Sequence, residues 1–320
     1  MSYDIIGDIH GHNDKLEALL HKLGYCNTGG TWRHPDRQAI FVGDFIDRGP
    51  SQVQTVNTVR RMVEGGTAFA IMGNHELNAI AWHTPDPANP DEYLRPHNSP
   101  KWGEKNRKQH SAFLVEVENK PGLHAEIIDW FLTLPLWLDL PDLRVVHACW
   151  HGSFMAWLSP QLRDRRCLTR DLMPAATTEP ANESEKDDAM PTVFKAVEAL
   201  TKGIEIPLPE GRSFSDKDGI RRNRVRVRWW DEEGATYRSA AMLSSADRAV
   251  LPDLPIPMHA RVEPVVKPTF FGHYWLTGVP ELQSNRAVCV DYSAGNGGPL
   301  VAYRFEGEQD LSLDHFVSVA

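Results

Sequence analysis

Gly7-Asp8-Ile9-His10-Gly11, Gly43-Asp44-Phe45-Ile46-Asp47-Arg48-Gly49 and Gly73-Asn74-His75-Glu76 all lie in the first quarter of a 320-residue chain, and each sets oxygen and nitrogen donors beside glycines. A short apolar run precedes every block: Tyr3 to Ile6, Ala39 to Val42 and Thr67 to Met72. Behind the first block Leu16, Leu19, Leu20 and Leu23 recur at helical spacing, and behind the second Val53, Val56, Val59 and Val63 share one face. Strand, loop and helix therefore repeat in the order of an α/β unit. Ligands of such units gather in loops beyond the carboxyl ends of the strands, where all three blocks fall. Their glycines let the backbone turn sharply and approach a ligand with no Cβ in the way.

Further along, the Pro, Asn and Asp content from His83 to Lys101 predicts a long loop beside the site. Helices are expected over Lys101 to Glu118 and Leu123 to Leu132, then paired strands at Leu136 to Leu140 and Leu143 to His147. From His151 to Pro264 the pattern loosens: Thr177 to Asp188 is polar and acidic, and Pro252 to Pro268 is rich in proline. Strand character returns at Thr269 to Gly272, Ala287 to Asp291, Leu300 to Phe305 and His315 to Val319. The expected fold is α/β, a layered core over residues 1–150 and 265–320, with 151–264 a large insertion or cap in the same globular unit.

A net charge of −9 argues against general nucleic-acid binding, which rests on Lys and Arg neutralising phosphates. Divalent ions would still reverse the sign locally. The four cysteines, Cys26, Cys149, Cys167 and Cys289, form no Cys-x-x-Cys pair, so neither a thiolate zinc site nor a disulfide framework is expected. No basic and apolar leader precedes Gly7, and no apolar run approaches the ~18 residues of a membrane span. A cytoplasmic protein with no membrane partner is the expectation.

Together the three blocks resemble the metal-ligand signature of the calcineurin-like metallophosphoesterases, particularly the branch of phosphoprotein phosphatases and bacterial diadenosine tetraphosphate hydrolases. The resemblance covers residues 1–150 and 268–305. It implies a β-sandwich core flanked by helices and a dinuclear-metal phosphoester hydrolase whose nucleophile is a metal-bridging hydroxide. Asp44 would be the carboxylate shared by both ions. Asp8 and His10, two apart just past a strand, would complete one ion's ligands. Asn74 would give the other ion a neutral oxygen, joined by His147 after Arg144-Val145-Val146 and by His273 after Thr269-Phe270-Phe271-Gly272. His75 would protonate the leaving oxygen, Asp47 would hold its imidazole, and Arg48 would grip the phosphoryl oxygens through its planar fork. Donors of this kind accept Mn²⁺, Fe²⁺ or Zn²⁺, with two Mn²⁺ ions the expected pair.

Other residues carry two readings. Arg224, Arg226 and Arg228 alternate with valine on a predicted strand; they form a solvated face, or one of them, Arg228 first, is the second phosphate-binding arginine that the phosphoprotein phosphatase pattern places between the late histidines. Glu76 is expected to bind backbone or a helix N-terminus. His12 and His151 read as loop histidines, with substrate contact the alternative for His12. Asp291 either orients a ligand imidazole or closes a turn. Trp82, Trp102, Trp229 and Trp275 read as packing residues, with base stacking the alternative. His147-Ala148-Cys149 departs from the His-Gly-Gly of eukaryotic protein phosphatases, and Glu76 departs from the Gly-Asn-His-Asp of the tetraphosphate hydrolases. A phosphomonoesterase acting on a phosphoprotein or small metabolite is the first expectation. A dinucleoside polyphosphate hydrolase or phosphodiesterase is second, and a non-catalytic phosphate-binding module third.

Overall fold

In the computed structural model, which describes residues 2–215, 219–231 and 236–320, the apolar runs ahead of the three glycine blocks become adjacent parallel strands. These are β1 (Ser2–Ile6), β2 (Arg37–Phe41) and β3 (Ala68–Ala70), with Ile5 opposite Ile40 and Ile40 opposite Phe69. A second sheet holds β4 (Trp137–Asp139), β5 (Arg144–Val146), β6 (Thr269–Phe271) and β7 (Ala287–Cys289) in the order β7-β6-β5-β4. Here β5, β6 and β7 run parallel, and β4 is antiparallel to β5. The chain then returns to the first sheet through β8 (Leu300–Phe305) and β9 (Phe316–Val319), giving the order β9-β8-β1-β2-β3.

Parallel strands buried on both faces need apolar side chains in both directions, and these strands have them. Ile5, Ile40, Val42, Val145, Phe270, Val288 and Phe305 fill the space between the sheets. The outer face of the first sheet is covered by α1 (Asn13–Leu23), α2 (Gln52–Glu64) and α3 (Asn74–His83), followed by α4 (Gly103–Val117) and α5 (Pro121–Phe131). Leu16, Leu19, Leu20 and Leu23 are the buried stripe of α1, as their spacing predicts. Val56 and Val59 are buried on α2, whereas Val53 and Val63 flank them only partly buried.

Residues 151–264 pack against this frame. Leu200 of α7, and Trp229 and Trp230, belong to one apolar cluster with Ala148 and Phe271; here α6 is Gly152–Leu158 and α7 is Val193–Lys202. The Trp229 indole donates to the Ala148 carbonyl at 2.8 Å. Two local expectations change. The stretch predicted as a long loop carries a hairpin of Pro85–Asp86 against Asn89–Tyr93, after which His97 stacks against Trp82 and Tyr93 at 3.6 and 4.0 Å. The arginine run does not form one strand: Arg224–Arg226 pairs with Glu205–Pro207, and Arg228 lies beyond it. Arg228 instead donates its backbone N–H to Ala240.

Phe270 is fully buried between the sheets, so Phe270→Ala should cost about 3–5 kcal/mol through lost burial and a residual cavity. Denaturant titration of the two proteins checks this, and a loss below about 1 kcal/mol would contradict the packing described.

Candidate metal centre

Six parallel strands end at one edge of the two sheets, and each exit carries a candidate residue. Asp8 and His10 follow β1, Asp44 follows β2, Asn74 follows β3, His147 follows β5, His273 follows β6 and Asp291 follows β7. All seven are buried. Asp44 lies at the middle: its Oδ2 faces His147 Nε2 at 3.3 Å, His10 Nε2 at 3.8 Å and His75 Nε2 at 3.9 Å. Asn74 Oδ1 lies 3.1 Å from His147 Nε2 and 2.8 Å from His273 Nδ1. Two sets of donor atoms, His10 with Asp44 and His75, and Asp44 with His147 and His273, each fall within 4.8 Å of one another.

The imidazoles are oriented from behind. His10 Nδ1 faces the Ile46 carbonyl at 3.0 Å and His147 Nδ1 faces the Val42 carbonyl at 2.7 Å, so donation there leaves each Nε2 lone pair free. Asp8 Oδ1, His10 Nε2, Asp44 Oδ2 and His273 Nε2 are buried and have no hydrogen-bond partner. Orphaned donor atoms of this kind are costly unless something electropositive sits among them. The remaining Asp8 oxygen accepts the His273 N–H at 3.0 Å, which ties the first block to the last.

Charge tells the same story. Burial, then Asp291 and Asp44, pushes the Asp8 carboxyl well above the usual carboxylate range. Burial and Asp44 push Glu76 up to about 7. Burial, then His75, pulls His10 down to about 3, so it is a neutral ligand-competent imidazole near neutral pH. Burial opposes ionisation of Asp44 too, but His147 and then His75 overcome it and hold Asp44 low. More buried carboxylate charge is present than the protein balances, and oxygen and nitrogen donors of this type fit divalent cations.

Beside this cluster His75 Nδ1 is held by Asp47 Oδ2, and the other Asp47 oxygen lies 2.7 Å from His110 Nδ1. Burial would raise the Asp47 pKa, yet His110 and His75 keep it below the usual range. The Asp47 N–H donates to Gln52 Oε1 at 2.6 Å. Arg48 is exposed at the mouth, its guanidinium 4.0 Å from the Trp275 ring centroid. Left-handed backbone is concentrated here: among the described residues eight non-glycines have positive φ, and all but Arg166 are His10, Asp44, Asp47, Arg48, His273, Trp275 and Ser293. Such conformations persist only where surrounding structure over-determines them, and they cluster at functional sites.

Several candidates take other places. Glu76 accepts from the N–H groups of Asp44, Phe45 and Gly73 at 2.8, 2.8 and 2.9 Å and so ties the second block to the third. Asp291 accepts from the N–H groups of Trp275 and Ser293 at 2.7 and 2.9 Å; it shapes a turn and holds no imidazole. His151 caps α6 by accepting the Phe154 N–H, and its Nε2 lies 3.0 Å from the His259 carbonyl. His12 stands half-buried at the start of α1. Arg228 is paired with Asp231 at 3.1 Å and Arg226 with Glu205 at 3.3 Å, and of the two it is Arg226 whose charge bears on His273. Sequence reasoning passed over His110. No apolar periodicity or motif singles out His110, and only the packing of α4 against the second block brings it to Asp47.

A family model described as calcineurin-like phosphoesterase matches residues 1–233. The asymmetrical bis(5'-nucleosyl)-tetraphosphatase PrpE of Oceanobacillus iheyensis is 47% identical over 76 residues, 23% of this chain and 30% of that protein. Its namesake in Bacillus subtilis is 42% identical over 76 residues, 23% of this chain and 31% of the relative. The match thus spans under a third of either relative. Among solved structures, a cold-active protein-tyrosine phosphatase of a Shewanella species gives a TM-score of 0.44 at 16% identity, covering 100% of this chain and 80% of that one. A Saccharomyces cerevisiae protein serine/threonine phosphatase gives 0.45 at 14%, covering 100% and 79%. No helix among the described residues is long and apolar enough to cross a membrane.

A Cβ added at Gly272 would lie 2.0 Å from Asp8 Oδ1. Gly272→Ala should therefore displace Asp8 and weaken Mn²⁺ binding about tenfold or more in calorimetric titration. Unchanged affinity would show that Asp8 is not part of the ion-binding group.

Proposed function

The chain belongs to the calcineurin-like phosphoesterase family, and we propose that it is a dinuclear-metal hydrolase of phosphoric esters or anhydrides. The observation that carries this reading is the arrangement around Asp44, where oxygen and nitrogen donors from five strand ends, four of their atoms orphaned, face one another next to a buried His75-Asp47 pair. Asp8, His10 and Asp44 would hold one ion, and Asp44, Asn74, His147 and His273 the other. The chemistry such a pair supplies when bound is neutralisation of phosphoryl charge and activation of the attacking water. Mn²⁺ is the proposed ion, with Fe²⁺ and Zn²⁺ compatible with the same donors.

The chain's own residues supply the rest. His75, with Nδ1–H held by Asp47, presents Nε2 to the space above Asp44 and is placed to pass a proton to the leaving oxygen. Burial works against a charged His75, but Asp44 and Asp47 raise its pKa, which favours the proton-bearing form. Arg48, laid against Trp275, offers its fork to the phosphoryl oxygens from the solvent side, and Arg226 is the proposed second arginine. His110 holds Asp47 and so acts on the reaction only by positioning it.

For the substrate, similarity to bis(5'-nucleosyl)-tetraphosphatases supports a dinucleoside polyphosphate over the phosphomonoester that the sequence put first. The phosphomonoester is the second reading, since one arginine and one acid suffice for a single phosphoryl group. A cytoplasmic location and a core of 1–150 and 265–320 capped by 151–264 complete the proposal.

Asp44→Asn should lose metal and nearly all turnover together. His75→Asn should retain metal while its rate falls about 10²- to 10⁴-fold. Metal analysis beside turnover on p-nitrophenyl phosphate and diadenosine tetraphosphate with Mn²⁺ checks both, and wild-type turnover in the His75 variant would refute its role as the acid.

A further inference from the structure

Arg95 lies beyond the hairpin that follows α3, and its side chain has neighbours unusual for a half-buried cation. Nη1 donates to Asn78 Oδ1 at 2.9 Å and Nη2 to Gln109 Oε1 at 2.8 Å. Both acceptors are neutral amides, and among the described residues Arg95 makes no ion pair with a carboxylate. Burial pulls its pKa down, with only the fields of Asp47 and Glu198 opposing. A desolvated charge held by amides is aimed without being neutralised, the state of an anion site awaiting its ligand.

Its anchors fix where it is aimed. Asn78 stands four residues after Asn74 on α3, so the two share a helix face one turn, about 5.4 Å, apart. Gln109 precedes His110, whose imidazole touches Asp47. The guanidinium is thus set one turn beyond the metal ligands, on the side of the His75-Asp47 pair, where the leaving group departs in the proposed reaction. Arg95, Asn78 and Gln109 line a cavity of about 760 Å³, together with Trp102 and Lys105. All four carboxylates lining that cavity have partners other than Arg95: Asp86 accepts the Ala88 N–H, Glu92 the N–H groups of His97 and Asn98, and Glu198 and Glu179 pair with Lys202 and Lys186.

We infer that Arg95 anchors a second anion subsite, which takes a phosphate linked to the phosphoryl group held over the metal ligands. This rests on the function proposed above and sharpens it: the preferred substrate carries at least two linked phosphates, and Arg95 selects it over a simple monoester.

The test compares inorganic phosphate with tripolyphosphate by calorimetric titration at fixed free Mn²⁺, using proteins that carry His75→Asn so that ligand is not consumed. Metal chelation by tripolyphosphate is common to all proteins and cancels between them, and for the comparison of the two ligands in the parent it is subtracted with a protein-free titration at the same free Mn²⁺. The parent should bind tripolyphosphate more tightly than phosphate. Arg95→Gln should weaken tripolyphosphate about tenfold or more relative to phosphate, and Arg95→Lys should recover part of that loss. Equal weakening of both ligands, or no preference for tripolyphosphate in the parent, would overturn the inference. Thermal melts of both variants separate a lost contact from a lost fold. Wild-type turnover is a separate readout: its absence counts against the proposed function, and the Arg95 comparison decides the subsite in either case.

Discussion

The structure depends on the surroundings of one buried carboxylate. Asp44 accepts the His75 N–H on Oδ1, its carbonyl accepts the N–H groups of Ile9 and His10, and its own N–H is taken by Glu76. One residue therefore binds the loops after β1, β2 and β3 to one another. Its free oxygen then faces three imidazoles. A carboxylate so buried would be expelled or protonated without compensation; the His75 N–H and the three facing histidines provide part of it, and a divalent cation would provide the rest in the proposed function. Removing any of these partners leaves a buried charge exposed to a low dielectric, which makes the loops interdependent rather than separately tolerant of change.

Rigidity follows from the same arrangement. Parallel strands buried on both faces fix the positions from which the loops depart, and the left-handed residues at His10, Asp44, Asp47, Arg48 and His273 fix the directions. Strain of order 1–3 kcal/mol at each such residue is held by backbone N–H groups donating to Glu76, Asp8 and Gln52 and by the inter-sheet core. The protein's own contacts thus fix the directions of these side chains, and electrostatic catalysis of phosphoryl transfer relies on such fixed groups.

Much of this was legible in the chain. Apolar runs stopped by glycine blocks revealed the parallel strands, and the chemistry of Asp8, His10, Asp44, Asn74, His147 and His273 singled out the residues that the fold brings together. Illegible parts were those that depend on packing between distant elements. His110 reaches Asp47 only because α4 crosses the loop of the second block. The Arg-Val alternation suggested a regular strand through Arg228, but the chain leaves the sheet after Arg226, and it is the charge of Arg226 that bears on His273. Hairpin formation between Pro85 and Tyr93 was hidden because Pro and Asn mark loops by composition whether or not the backbone pairs. Asp291 showed its position in sequence but not its partners, which are backbone N–H groups rather than an imidazole.

In the proposed function, substrate choice falls to the rim rather than to the metal ligands: Arg48 with Trp275 would lie on one side, Arg226 on another, and Arg95 on the leaving-group side. The claim beneath all of these is that Asp44 lies between two ions, and anomalous diffraction from crystals grown with Mn²⁺ tests it most directly. The account predicts two peaks about 3.5–4 Å apart, one against Asp8 and His10, the other against Asn74, His147 and His273, with Asp44 touching both. A single peak, or peaks that leave Asp44 without contact, would contradict it.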